Sequence, residues 1–141
     1  MGTGSGCNRL GPVPIPIPLA YWKQEGKFRW CGITTHSEQP EWLKFVAESK
    51  IHDVAVVGFN YKSPGAVGKA VEDASRKGIG VIAMKTQSPN YGDGQTGIGT
   101  APDHGKALNW VLSKHFVTAA VPGMTTQAQV DLNLKTMAST A

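Results

Sequence analysis

The chain repeats one pattern four times: a short apolar segment, a polar corner and an amphipathic stretch of helical periodicity. The apolar segments are residues 28–33, 54–59, 80–84 and 117–121, and the helical stretches are residues 40–49, 64–77, 102–113 and 126–137. Segment 54–59 is almost continuously apolar, which is typical of a parallel strand buried on both faces. Alternation at this spacing predicts right-handed βαβ units and a parallel sheet.

Local signals place the ends of these helices. Stretch 64–77 carries apolar residues at helical spacing and ends at Gly78, directly after two basic residues. Ser37 is predicted to cap the helix that begins near Pro40. In the last helix, Val130 and Leu134 are predicted to form the inward apolar stripe.

The number of units bounds the architecture. A complete eight-stranded parallel barrel needs roughly 200 residues or more, whereas this chain has 141. The predicted fold class is therefore α/β, a parallel (βα)4 arrangement that amounts to half of a TIM-type barrel. We expect two regions: residues 19–141 as the half-barrel domain, and residues 1–18 as an extended leader, because proline alternates with β-branched residues over 12–18.

The charge distribution and the cysteine content limit the kinds of binding partner that we expect. The net charge is +4, but the basic residues are scattered and show no interleaving with aromatics, so we expect no nucleic-acid partner. Cys7 and Cys31 form no ligand cluster and are interpreted as free thiols. No apolar run is long enough to cross a membrane and no secretory signal is visible, so we expect a cytoplasmic protein with no membrane partner.

The polar corners follow the predicted strands directly. They include His36, Asn60, Lys85 and the segment 121–126. In parallel α/β proteins, ligands bind at the carboxyl ends of the strands. These corners are therefore predicted to form a binding face.

Several segments resemble the second half of an aldo-keto reductase barrel. Segment 25–36 resembles that family's run into its fifth strand, 78–85 its seventh strand, 107–112 the following helix, and 121–126 the eighth strand and the turn after it. Asn60 matches the corner after the sixth strand, and Gln129 and Asn133 continue the match after the eighth. The resemblance implies a fragment of an oxidoreductase barrel that binds NADP or NAD.

The resemblance also implies a set of cofactor contacts. The corners after the first two strands would take the nicotinamide carboxamide through Thr34, Thr35 and Asn60. Met84 and Lys85 would lie near the nicotinamide and the pyrophosphate. The adenosine phosphate would meet the N–H groups of Gly123, Met124 and Thr125 and the side chains of Thr126 and Gln129. His36 would face the substrate, and the absence of a basic residue between Gly123 and Asn133 weakens any preference for NADP.

The family's catalytic Asp, Tyr, Lys and His come from its first four strands, which the matching segments do not include. No catalytic residue can therefore be assigned, and we expect weak or no carbonyl reductase activity. Some members carry an iron–sulfur tail, but that requires grouped cysteines. We expect no iron–sulfur cluster and no metal.

Structural roles compete with these functional ones. Asn60 can simply close a turn, Gly123 can serve only a tight turn, and His36 can cap its corner. Two other functions also stay open: a promiscuous hydrolase of small esters that uses His36, Ser63, Lys85 and His104, or a non-catalytic truncated fragment. Finally, a half barrel leaves strand edges and an apolar face open, so we expect a homo-oligomer.

Overall fold

The computed structural model describes residues 17–87 and 104–139. These residues form an α/β fold in which helices alternate with the strands of one parallel sheet, as predicted. In chain order the elements are α1 (Ile17–Gln24), β1 (Gly32–Thr35), α2 (Gln39–Ser49), β2 (Val54–Gly58), α3 (Gly65–Arg76), β3 (Gly80–Met84), α4 (His104–Leu112), β4 (Ala119–Val121) and α5 (Gln127–Ala138).

The strands lie side by side in chain order, β1-β2-β3-β4, and every neighbouring pair is parallel. Thr34 pairs with Val56, Val56 with Ile82, and Ile82 with Ala119. Because paired residues of parallel strands share a face, this row of side chains lies on one side of the sheet.

The core lies on the other side of the sheet, under the helices. Ala55, Val57, Val81 and Ala83 are completely buried there, together with Leu43 and Val46 of α2, Val71 of α3 and Val111 of α4. Phe59, which directly follows β2, packs its ring against those of Trp110 and Phe116. The helices therefore cover a single face, while alternate residues on the opposite face stay only partly buried.

Two strands are shorter than their apolar runs predicted. β1 begins at Gly32 instead of residue 28, since its pairing with β2 starts at Gly32 and Val54; Trp30, before that point, is 71% exposed. β4 begins at Ala119, because its pairing with β3 starts there. Both strands were predicted too long because the predictions followed runs of apolar residues, and some of these residues have no neighbouring strand to pair with.

Two helix predictions were also wrong in detail. The residue before α2 is Glu38, at a left-handed φ of 49° and without a side-chain cap, so Ser37 does not cap the helix. In α5, Leu134 is 59% exposed instead of facing inward, whereas Asn133 and Thr136 are buried. The cause is that α5 packs mainly on α4, so the side that meets α4 is the polar one.

Helix α1 begins at Ile17, within the predicted leader, so the extended segment cannot reach residue 18. Residues 1–16, on which the rest of the leader prediction falls, lie outside the described residues. Within the described ranges, no helix has both the length and the apolar character that a membrane span requires.

Candidate binding site at the carboxyl ends of the strands

Asn60 joins the corners that follow β2 and β3. Its side chain is fully buried; its Nδ2 donates to the Lys85 carbonyl oxygen at 3.0 Å, and its Oδ1 accepts from the Lys62 N–H at 2.8 Å. The Asn60 N–H donates to Ser63 Oγ at 2.9 Å. Both amide atoms are thus used within the chain, so Asn60 positions the corner residues around it; its contact with a carboxamide stays a prediction.

Lys85 follows β3 in a strained conformation. Its φ is 53°, a left-handed value that non-glycine residues rarely adopt, and its side chain is half-buried. The Asn60 hydrogen bond to the Lys85 carbonyl holds the backbone in this geometry. Strain of this kind persists only where the surroundings impose it, and it concentrates at functional sites.

The three residues predicted to bind at the corner after β1 differ in their exposure. Thr34 is exposed on the face that the helices leave uncovered, beside Val56 and Ile82 of the same row, which are partly buried. Thr35 lies on the opposite, helix-covered face, is buried, and donates its hydroxyl to the Ser37 carbonyl at 2.6 Å. His36 is exposed at the end of the strand. The structure brings Thr34 and His36 to accessible positions, but not the Thr35 hydroxyl.

Gln129 shapes the corner after β4. Its Oε1 accepts from the Thr125 N–H at 2.6 Å and from the Thr126 N–H at 3.1 Å, and Thr126 completes a capping box at the start of α5. A phosphate at this turn would have to compete with Gln129 for those donors. Gly123 and Met124 are exposed, and no described acceptor engages their N–H groups.

Met84 ends β3, half-buried on the uncovered face and paired with Val121. Among the predicted residues, Met84 and Lys85 lie at the carboxyl end of β3, and Gly123 and Met124 follow β4 next to it. Thr34 lies on the same face but one residue pair further from this end, at the level of Ile82. Their contacts with a cofactor stay predictions.

Sequence reasoning missed a buried polar cluster behind these corners. Gln87 Nε2 donates to the His104 carbonyl oxygen at 3.1 Å and to Asn133 Oδ1 at 2.7 Å, and so links β3, α4 and α5. In the described residues, four buried side-chain atoms have no hydrogen-bond partner: Gln39 Oε1, Thr86 Oγ1, His104 Nε2 and Asn133 Nδ2. All belong to segments that meet at the carboxyl end of the sheet. Of these residues, the sequence had singled out Asn133, through the family resemblance, and His104, through the hydrolase alternative.

The amino end of the sheet is organised differently. Lys23 Nζ lies 2.7 Å from Asp53 Oδ2, which also accepts the Cys31 N–H at 2.9 Å. Burial disfavours the ionised carboxylate, but the hydrogen bonds from Lys23 and Cys31 outweigh it and hold the pKa of Asp53 below its ordinary value. Burial, reinforced by the charge of Asp53, raises the pKa of the Cys31 thiol. This end is tied together by satisfied contacts.

The serine–histidine contacts do not resemble those of a hydrolase. Ser63, one of the four residues considered for the hydrolase, accepts the Asn60 N–H, and the described residues place no histidine in a hydrogen bond with it. Ser49 Oγ lies 2.8 Å from His52 Nδ1 and 2.9 Å from the Val46 carbonyl oxygen. This pair lies at the amino end of the sheet and includes none of the residues considered for the hydrolase.

Across residues 17–87 and 104–139, no group of three or more His, Cys, Asp or Glu side chains is arranged to hold a metal ion. No protein-family model matches the chain, and no curated protein sequence matches it.

Proposed function

We propose that this protein binds a nicotinamide dinucleotide, NADP or NAD, at the carboxyl ends of its four strands, and that it represents the second half of an aldo-keto-reductase-like TIM-type barrel. The observation that carries the proposal is that all four unpartnered buried polar side-chain atoms of the described residues belong to segments that meet at this one end of the sheet, the end that also presents Lys85. Buried polar groups without partners are rare in folded proteins, and each one calls for an explanation.

Charge and donor placement fit the pyrophosphate of such a cofactor. Lys85 and Lys62 lie on the corners that Asn60 joins, and the N–H groups of Gly123 and Met124 are open at the corner after β4. A cation and backbone N–H groups are the donors that phosphate groups prefer. Uncharged Met84 on β3, paired with Val121 of β4, and uncharged Thr34 on β1 at the opposite edge offer apolar or neutral surface for a flat ring.

Within this proposal each residue has a separate role. Lys85 pairs with the pyrophosphate, while Asn60 fixes the backbone that carries Lys85. Gln129 holds the turn after β4, and Thr34 and Met84 line the nicotinamide position. The bound cofactor would supply the hydride chemistry of the family; this chain binds and orients it.

Two lysines allow a matched test by isothermal titration calorimetry with NADPH and NADH. Lys85 and Lys50 both have left-handed backbones, with φ of 53° and 55°, but Lys50 ends α2 at the amino end of the sheet. We expect micromolar binding to the unmodified protein and about tenfold weaker binding to Lys85→Gln, since a charge-assisted hydrogen bond contributes about 1.5 kcal/mol or more. Lys50→Gln should bind as the unmodified protein does.

Two results would contradict the proposal. The first is the absence of any binding heat up to millimolar cofactor. The second is an equal loss of affinity in Lys85→Gln and Lys50→Gln, which would indicate non-specific attraction of an anion to a protein with a net charge of +4.

A further inference from the structure

In the part of the chain that the structure describes, the crossover helices α2, α3 and α4 pack on one face of the sheet and leave the other uncovered. The strand residues on this face are Thr34, Val54, Val56, Ile82, Met84, Ala119 and Val121. On the opposite face Val57 and Val81 are completely buried, whereas on this one Val121 is 56% exposed. Exposed apolar surface of this kind marks an interaction site.

The strand order explains why the face is bare. Each right-handed crossover places its helix on one side of the sheet, and because the order is β1-β2-β3-β4 every crossover moves in the same direction. The three crossover helices α2, α3 and α4 are consequently on one side, and α5 packs on α4. In the described residues, β1 pairs only with β2 and β4 only with β3, so both edges of the sheet are also open.

Other exposed apolar side chains collect at the two ends of this open sheet. The described residues include eight large apolar side chains that are exposed. Three precede or flank β1: Tyr21, Trp22 and Trp30. Four belong to the last unit: Val121, Met124, Leu134 and Met137. Only Tyr61 lies elsewhere, so the first and last units carry the surface that a continuing barrel would bury.

We propose that a second copy of this chain covers the uncovered face, with β4 of each copy pairing in parallel with β1 of the other around a two-fold axis parallel to the strands. The product is a closed eight-stranded parallel barrel, whose interior is filled by branched apolar side chains such as these. The inference depends on the sheet alone and not on the proposed cofactor.

Charge and geometry favour a second copy as the occupant. The seven side chains on the face are uncharged, so two copies that each carry a net charge of +4 can meet there without opposing like charges. β1 has four residues and β4 has three, so the two edges differ in length by one residue. Each open edge can accept one further strand, and the second copy presents a strand of similar length at each side.

The uncovered face alone is too small for a stable interface, so residues at the two open edges of the sheet must also lie in the contact. Four strands about 4.8 Å apart and five residues deep at about 3.3 Å each give roughly 300 Å² of face per copy. A stable interface buries about 800 Å² on each partner. The aromatic side chains before β1 and the apolar side of α5 must therefore lie in the contact, and this makes Leu134 and Val121 the residues to test.

Sedimentation velocity and equilibrium measurements on the full chain test the proposal. We expect a species of twice the 15.0 kDa chain mass. Leu134→Lys and Val121→Lys should each weaken the dimer at least a hundredfold, because each places an unpaired charge within the contact. Ala66→Lys, a lysine added at an exposed position of α3 away from both edges, should leave the dimer unchanged.

Circular dichroism and a cooperative thermal transition verify that each variant is folded; Leu134 and Val121 are exposed, so the substitutions are tolerated within a single copy. A monomeric unmodified protein overturns the proposal. A dimer that persists in both variants also overturns it, because the contact then lies elsewhere. Retained dimerisation without cofactor binding would contradict the proposed function only.

Discussion

The two ends of the sheet use similar residues for different purposes. At the amino end, the charged and polar groups satisfy one another: Lys23 with Asp53, Asp53 with Cys31, and His52 with Ser49. At the carboxyl end, buried polar atoms of Thr86, His104 and Asn133 lack partners. Left-handed backbone does not separate the two ends, since Lys50 at the amino end has a φ of 55° and Lys85 at the carboxyl end one of 53°. Under the function that we propose, the amino end supports the fold and the carboxyl end carries the unsatisfied polar groups.

The largest effect should come from removing the residue that holds the carboxyl end together. Asn60→Ala removes two buried hydrogen bonds and leaves the Lys85 carbonyl and the Lys62 N–H unpaired. We expect the free energy of unfolding to fall by about 3 kcal/mol, as measured by urea denaturation. Ser63→Ala, which removes only the acceptor for the Asn60 N–H, should cost about 1 kcal/mol. A smaller loss for Asn60→Ala than for Ser63→Ala would show that Asn60 does not organise this end.

The amino end should instead determine the response to acid. Burial lowers the pKa of His52, so as the pH falls below about 6.5 the unfolded chain takes up this proton first and stability decreases. The depressed pKa of Asp53 adds stability that is complete above about pH 4 and is lost as the pH falls through the folded pKa. Stability measured between pH 7 and pH 3 should therefore fall in two stages.

Single substitutions separate the two stages. His52→Gln should remove the upper stage, and Asp53→Asn should remove the lower stage while lowering stability at neutral pH by about 1 kcal/mol. Neither should alter the affinity for NADPH. An increase in stability on acidification from pH 7 to pH 5, or an affinity change in either variant, would argue against the separation of the two ends.

The smallest effect concerns backbone strain. Glycine adopts a positive φ without penalty, so Lys85→Gly and Lys50→Gly should each raise the free energy of unfolding by about 0.5 to 1 kcal/mol. Only Lys85→Gly should also weaken cofactor binding. If Lys85→Gly destabilises the protein, then its left-handed backbone is not strained and the functional argument from strain is lost.

Much of the fold followed from periodicity. The alternation of apolar runs and helical stretches predicted the parallel sheet, and β3 and α2 lie within a residue of where the pattern put them. Strand ends were less predictable, because residues 28–31 are apolar in part but have no neighbouring strand to pair with. Pairing depends on the partner's length, which one segment does not encode.

The sequence allowed the corner residues of the candidate site to be predicted, but not the buried polar cluster around Gln87. Lys85 and Asn60 were visible because polar residues directly follow buried strands. The Gln87 bridge joins residues 46 positions apart, and no local pattern connects Gln87 to Asn133. The exposure of Leu134 was unpredictable for the same reason. Helical spacing predicts an apolar stripe, but not which element of the fold packs against that stripe.

The most direct test of the binding site is an amide ¹H–¹⁵N NMR titration of the isotopically labelled full chain with NADP⁺ and NAD⁺. Our account predicts saturable shifts at the corners after the strands, including Tyr61, Lys85, Gly123 and Met124, and unchanged signals at Lys23, Cys31 and Asp53. Shifts confined to the amino end, or none up to millimolar cofactor, would contradict it.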